Sequence, residues 1–249
     1  MIHLLIIIII IMIICINKLC KPNKIIPNKI IPKIIHLCYK TKDIPPFIIK
    51  KWNKLNPNYK VILYDNNDCI KFLYKYFGQK YVDIFNYIKD GPIKADFWRV
   101  CILYIYGGVY CDIDVEPLAP IKSFMEKDVD FLTCASMHEN SMNPHLIISV
   151  SGHCILKKCI DRYVEYYDKK NEYSYWGWSI VSVMSHSVSQ LYGQHINDEG
   201  IYIIKNTRCQ FIKEINDKDH YNIHCIYKNQ RILNNRYKNY DSTNHRFSN

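Results

Sequence analysis

The chain has 249 residues, 49% of them hydrophobic and 14% aromatic, with a formal net charge of +10. That is ample for one large packed domain or two small ones, and far too apolar for a disordered chain. Eight Gly and ten Pro exclude collagen-like or Gly-rich linker designs, and the lack of a 20- to 50-residue period excludes solenoids and propellers. The basic balance favours anionic partners, but its lysines are scattered and select none by themselves. Eleven cysteines form no C-x-x-C pair and no zinc spacing. Several sit inside apolar runs (Cys101, Cys111, Cys134) and are read as buried free thiols.

Residues 1–20 hold an unbroken apolar run from Leu4 to Ile16 with no preceding Lys or Arg. The run is short for a spanning helix, yet no small-x-small cleavage site follows it. It is read as an uncleaved single-pass membrane anchor. Lys18, Lys21 and Lys24 follow it and favour a cytoplasmic domain by the positive-inside rule, without fixing the side of the membrane. Residues 21–32 repeat N-K-I-I-P, whose prolines predict an extended linker. The folded domain is expected over 33–249.

Lys33 to Tyr39 and Val61 to Tyr64 are β-rich runs. Between them Phe47, Ile48, Trp52 and Leu55 have helical spacing, stopped by Asn56-Pro57. Asp65 to Asp68 caps a helix that ends before Gly78, and Tyr81 to Lys89 is a further helical stretch. Ala95 to Tyr106 reads as an amphipathic helix, Gly107-Gly108 as a tight turn, and Val109 to Cys111 as a short strand ending in Asp112-Ile113-Asp114. Asp130 to Cys134 is a strand and Ile155 to Tyr167 a helix. Strands alternating with helices predict an α/β fold with a mixed sheet flanked by helices.

Asp112 and Asp114, two apart on an extended segment, would project to one side. Paired carboxylates resist burial unless a cation lies between them, and hard oxygen ligands with room for water suit Mg²⁺ or Mn²⁺. Asp96 and Arg99 share a helix face, and the Gly-Gly turn can fold that face back beside Asp112. Two other readings stand beside a metal-dependent enzyme. Asp112-Ile113-Asp114-Val115 superficially fits the nucleophile motif of a haloacid-dehalogenase-like phosphohydrolase, though Asp96, Arg99 and the Gly-Gly turn then go unexplained. The segment Lys228 to Arg246, basic with interleaved tyrosines, fits a non-enzymatic module on a membrane or nucleic acid.

The set IPKIIH, WNKLNP and KADFWRVCILYIYGGVYCDID resembles glycosyltransferase family 32, most strongly over residues 31–120. The resemblance implies a GT-A fold, Rossmann-like in its mixed sheet, that transfers a hexose-type sugar with retention of the anomer. It implies a UDP- or GDP-sugar donor, a glycan or lipid acceptor, a Mn²⁺ or Mg²⁺ ion, and no nucleic acid partner. By motif position Asp112 and Asp114 carry catalysis, and Asp96, Arg99 and Asp112 hold the donor sugar. His36, Tyr39 and Trp178 would line the nucleotide pocket, and Asp114, Asp112 and His224 would ligate the metal. Residues 175–179 resemble a loop that closes over the donor, and Asn143 to Gly152 an acceptor-side segment.

Overall fold

A computed structural model describes residues 30–170, 172–216 and 223–247. The anchor expected over 1–20, and the expected linker up to residue 29, lie outside the described residues. Among the described residues no helix is long and apolar enough to cross a membrane.

The fold begins with a parallel β-α-β unit. Strand β1 (Ile34–Cys38) pairs in parallel with β2 (Lys60–Tyr64), and helix α1 (Pro46–Leu55) connects them. Pro46 presets the first turn of α1, Ile48 and Trp52 bury its inner face, and the Asn56 N–H closes its end on the Trp52 carbonyl at 2.9 Å. Helix α2 (Asn66–Phe77) starts on a capping box in which the Asp65 and Asp68 side chains each accept from the other's backbone N–H. Helix α3 (Gln79–Tyr87) follows directly after Gly78.

Helix α4 (Gly91–Tyr106) departs from the amphipathic expectation. Ile93 and all of Asp96–Leu103 are buried, because the helix lies between the sheet and its neighbours. Its polar residues can be inside because Asp96 and Arg99 pair with each other. After Gly107, strand β3 (Gly108–Cys111) joins β1 in parallel, and β4 (Glu116–Pro117) follows. Strands β5 (Phe131–Ala135) and β6 (Leu146–Ser149) come next. Helices α5 (Cys154–Asp168), α6 (Tyr175–Trp178) and α7 (Ile180–Tyr192) precede β7 (Gly200–Ile204), β8 (Thr207–Asn216), β9 (Ile223–Tyr227) and β10 (Gln230–Asn234). A small ladder of β11 (Tyr240–Asp241) and β12 (Arg246–Phe247) ends the described chain.

The main sheet is mixed, in the order β2-β1-β3-β6-β5-β8-β9-β10-β4, with β7 on β8. Alternate residues feed two cores. Tyr110, Phe131, Ile147 and Phe211 face α2 to α5 and α7. Val109, Cys111, Leu132, Leu146 and Ile148 face the other way, toward α1 and the segment after β4. The α/β class with a helix-flanked mixed sheet is as expected from sequence.

The Gly107-Gly108 turn lets α4 fold back on the sheet. Both residues have positive φ, and a Cβ on Gly108 would stand 2.7 Å from the Ile34 carbonyl oxygen. Neither the backbone conformation nor the contact tolerates a side chain. Gly108→Ala is therefore expected to cost roughly 2–4 kcal/mol, read from the urea unfolding midpoint. A loss below about 0.5 kcal/mol would show that the turn has slack.

Candidate active site

A cavity of about 520 Å³ opens where the parallel strands β1, β2 and β3 end. Tyr39 and Lys40 follow β1 into it, Asn66 follows β2, and Asp112 to Asp114 follow β3. Ligands of α/β sheets gather at this edge because the loops after the strands converge there.

On the cavity floor one guanidinium organises two carboxylates. Arg99 Nη2 lies 2.5 Å from Asp96 Oδ1 and 2.8 Å from Asp112 Oδ1, while Nη1 donates to Asp112 Oδ2 at 3.2 Å and to the Pro144 carbonyl at 2.8 Å. The guanidinium also stacks over the Tyr110 ring, 4.5 Å from its centroid, and the Tyr110 hydroxyl donates to Asp112 Oδ1 at 2.8 Å. Asp96 Oδ2 accepts from the Ile180 N–H at 2.9 Å. Burial lifts the Asp96 carboxyl to about 6, against the pull of Arg99. Burial opposes the charge on Arg99, but Asp112 and Asp96 together hold it above the ordinary range.

Asp112 and Asp114 both line the cavity, though not on the extended segment expected. The strand stops at Cys111 and the chain turns, the Val115 N–H bonding the Asp112 carbonyl at 3.2 Å. Burial, then the neighbouring Asp112 charge, raises the Asp114 carboxyl to about 7; Arg236 and Arg99 only partly offset this. Both oxygens of Asp112 are engaged by Arg99 and Tyr110. Asp114 is thus a half-buried carboxylate facing a polar cavity with too little positive charge. That donor set fits a hard divalent cation, with Asp114 as chief protein ligand and Asp112 beside it.

Other expected residues lie elsewhere. His36 is buried in the core; burial pulls its imidazole down to about 4, so the ring is neutral. Its Nε2 donates to the Gly107 carbonyl at 3.1 Å and its Nδ1 accepts from the Tyr64 hydroxyl at 3.2 Å. It braces the glycine turn and does not line the cavity. Trp178 is 1% exposed, in an aromatic cluster with Tyr87, Tyr166 and Tyr173. Its neighbour Trp176 is 71% exposed and lines the cavity with Tyr175. His224 is buried in β9, paired across to Ile215 and Asn234, and is not among the cavity residues. Tyr39 does line the cavity, its hydroxyl donating to the His245 carbonyl at 2.8 Å.

The segment after Lys228, weighed from sequence as a basic module for a membrane or nucleic acid, folds into sheet and cavity wall. Strand β10 pairs with β4 just after the Asp112–Asp114 turn. The Tyr237 N–H then bonds the Asp114 carbonyl at 2.8 Å, so Arg236 and Tyr240 enter the cavity. Sequence reasoning missed these residues because only the β4–β10 pairing, between segments far apart in the chain, brings them there.

Residues 46–131 match the family described as glycosyltransferase sugar-binding region containing DXD motif. The mannosyl phosphorylinositol ceramide synthase of Saccharomyces cerevisiae is 36% identical over 104 residues, covering 38% of this chain and 27% of that protein. The initiation-specific alpha-1,6-mannosyltransferase of Candida albicans is 30% identical over 76 residues, covering 30% of this chain and 20% of that one. The chain thus spans about a quarter of the length of these curated relatives. Among solved structures, the PaToxG glycosyltransferase aligns with a TM-score of 0.48 at 18% identity, over 66% of this chain and 69% of that chain.

Proposed function

From the premise that residues 46–131 are a DXD glycosyltransferase sugar-binding region, we propose that the chain moves a hexose-type sugar from a nucleotide-diphosphate donor to a glycan or lipid acceptor. In this reading the fold is GT-A, the ion is Mn²⁺ or Mg²⁺ and the anomeric configuration is retained. The observation that carries it is the convergence of Asp96, Arg99, Asp112 and Asp114 on one cavity at the strand ends. The relatives' names, both mannosyl-transferring, make mannose the first sugar to try.

The side chains divide the work. Asp96 and Arg99, fixed by each other and by Ile180, offer a rigid polar surface for sugar hydroxyls. Transfer breaks the bond between the anomeric carbon and the diphosphate oxygen while the acceptor hydroxyl attacks, so negative charge gathers on the leaving group. Arg236 and Lys40 line the same cavity and can meet that charge. A cation held by Asp114 would supply Lewis-acid stabilisation of the diphosphate. Tyr39, Tyr240 and Trp176 provide aromatic faces at the wall for a nucleobase or acceptor. The family match ends at residue 131, so that wall lies mostly outside it, which is where acceptor choice would reside.

The test is a panel of UDP- and GDP-sugars offered to the full chain with Mn²⁺. The expected result is metal-dependent release of the nucleoside diphosphate from one donor, with product anomer read by NMR. Release of inorganic phosphate from simple phosphomonoesters, with no turnover of any nucleotide sugar, would replace this reading with a phosphohydrolase.

A further inference from the structure

On the sheet face opposite α4, behind the Asp112 turn, three side chains converge that the proposed transfer does not use. Cys134 comes from β5, Cys225 from β9, and His145 from the turn just before β6, and all three are buried. Their ligand atoms lie within 4.8 Å of one another. The two sulfurs are 3.2 Å apart, and His145 Nε2 is 3.2 Å from Cys225 Sγ. The other ring nitrogen of His145, Nδ1, is buried without a hydrogen-bond partner among the described residues.

We propose that Cys134, His145 and Cys225 bind a thiophilic cation of the Zn²⁺ kind. Zinc bonds of about 2.3 Å to sulfur and 2.0–2.1 Å to nitrogen, at tetrahedral angles, separate ligand atoms by roughly 3.5–3.8 Å. Small side-chain rotations convert the observed spacing to that one. Two thiolates neutralise a divalent ion, so the closed position carries no net charge into the core. The cation also satisfies an imidazole that otherwise meets only weakly bonding thiols. Asn235 Oδ1, 3.7 Å from Cys225 Sγ, is a neutral oxygen near the fourth position; the Asn235 amide is held by Glu214. Soft sulfur ligands distinguish this position from the all-oxygen Asp112–Asp114 site.

The position matters for the cavity. The His145 carbonyl accepts the Asp112 N–H at 2.8 Å, and the Pro144 carbonyl accepts from Arg99. An ion on His145 would therefore pin the segment that holds both groups, which is a structural role behind the site.

The experiment is titration of the reduced full chain with Co²⁺, which gives a near-ultraviolet thiolate-to-metal charge-transfer band only with sulfur ligands. The expected result is one band that saturates at one equivalent and is displaced by Zn²⁺. It should be lost in Cys134→Ser and Cys225→Ser but kept in Asp114→Asn. No thiolate band in the wild-type chain, or a band kept in both cysteine variants, would overturn the site. So would a Cys134–Cys225 disulfide in peptide maps of the untreated protein. The wild-type titration decides the matter even if a variant fails to fold, and it does not depend on which sugar is transferred.

Discussion

Asp114→Asn is expected to lower glycosyl transfer by at least ~10³-fold while making the folded protein more stable. The loss follows from removing the chief oxygen ligand available for a cation beside the leaving group. The gain follows from linkage. The Asp114 carboxyl is raised to about 7 by burial and by Asp112, well above the ordinary carboxylate value near 4. Between those two values the folded state keeps a proton that the unfolded chain has released, so stability falls as pH rises through that window. Below it both states are protonated and the penalty vanishes. At about 1.4 kcal/mol per pH unit, the relief in the variant is on the order of a few kcal/mol. The difference in Tm between variant and wild type should be small near pH 4 and largest near pH 8. Mn²⁺ should raise the wild-type Tm and leave the variant nearly unmoved. A variant that keeps full activity, or that melts lower than wild type at pH 8, would remove Asp114 from the metal role.

How much of this was legible in the sequence depends on the distance over which each contact is made. Asp96 and Arg99 lie one helical turn apart, and Asp112 and Asp114 follow a glycine turn, so local spacing brings all four residues to one cavity. Helix α4 looked two-faced because Asp96 and Arg99 read as polar. Their mutual pairing turns those positions into interior ones. Residues 176 and 178 are both Trp on one helical turn, and at about 100° per residue they point to opposite sides. The sequence shows the pair but not which one the core takes, and Trp178 takes it. His36 is placed in the nucleotide pocket by the resemblance alone. The strand continues to Cys38, so the chain meets the cavity at Cys38 and Tyr39, two residues beyond His36. Arg236 arrives through β4–β10 pairing, and the Cys134–His145–Cys225 cluster through sheet neighbours with no common spacing. Long-range pairing leaves no mark in a single sequence.

Removing the shared cation tests the other half of the floor. Arg99→Leu leaves the buried Asp96 and the half-buried Asp112 without their partner; breaking a buried pair typically costs 3–5 kcal/mol. The same change also deletes the stacking on Tyr110 and the anchor on the Pro144 carbonyl. The deficit should depend on pH in a definite sense. Asp96 already sits at about 6 because burial outweighs Arg99, and without Arg99 its carboxyl rises further. At about pH 8 the variant must ionise or neutralise that carboxyl at a cost. Near pH 5 the proton is present anyway, so the gap to wild type should narrow. Asp96→Asn/Arg99→Leu should recover part of the loss at pH 8, since the amide can still accept from Ile180 N–H without carrying charge. Arg99→Lys should fold better than Arg99→Leu, yet it cannot span both carboxylates as the guanidinium does. Its activity is expected to fall at least ~10-fold through misplacement of Asp112. If Arg99→Leu unfolds within about 1 kcal/mol of wild type at pH 8 and shows no pH trend, then the buried triad contributes nothing to the floor. The cavity would in that case be held by the strand ends alone.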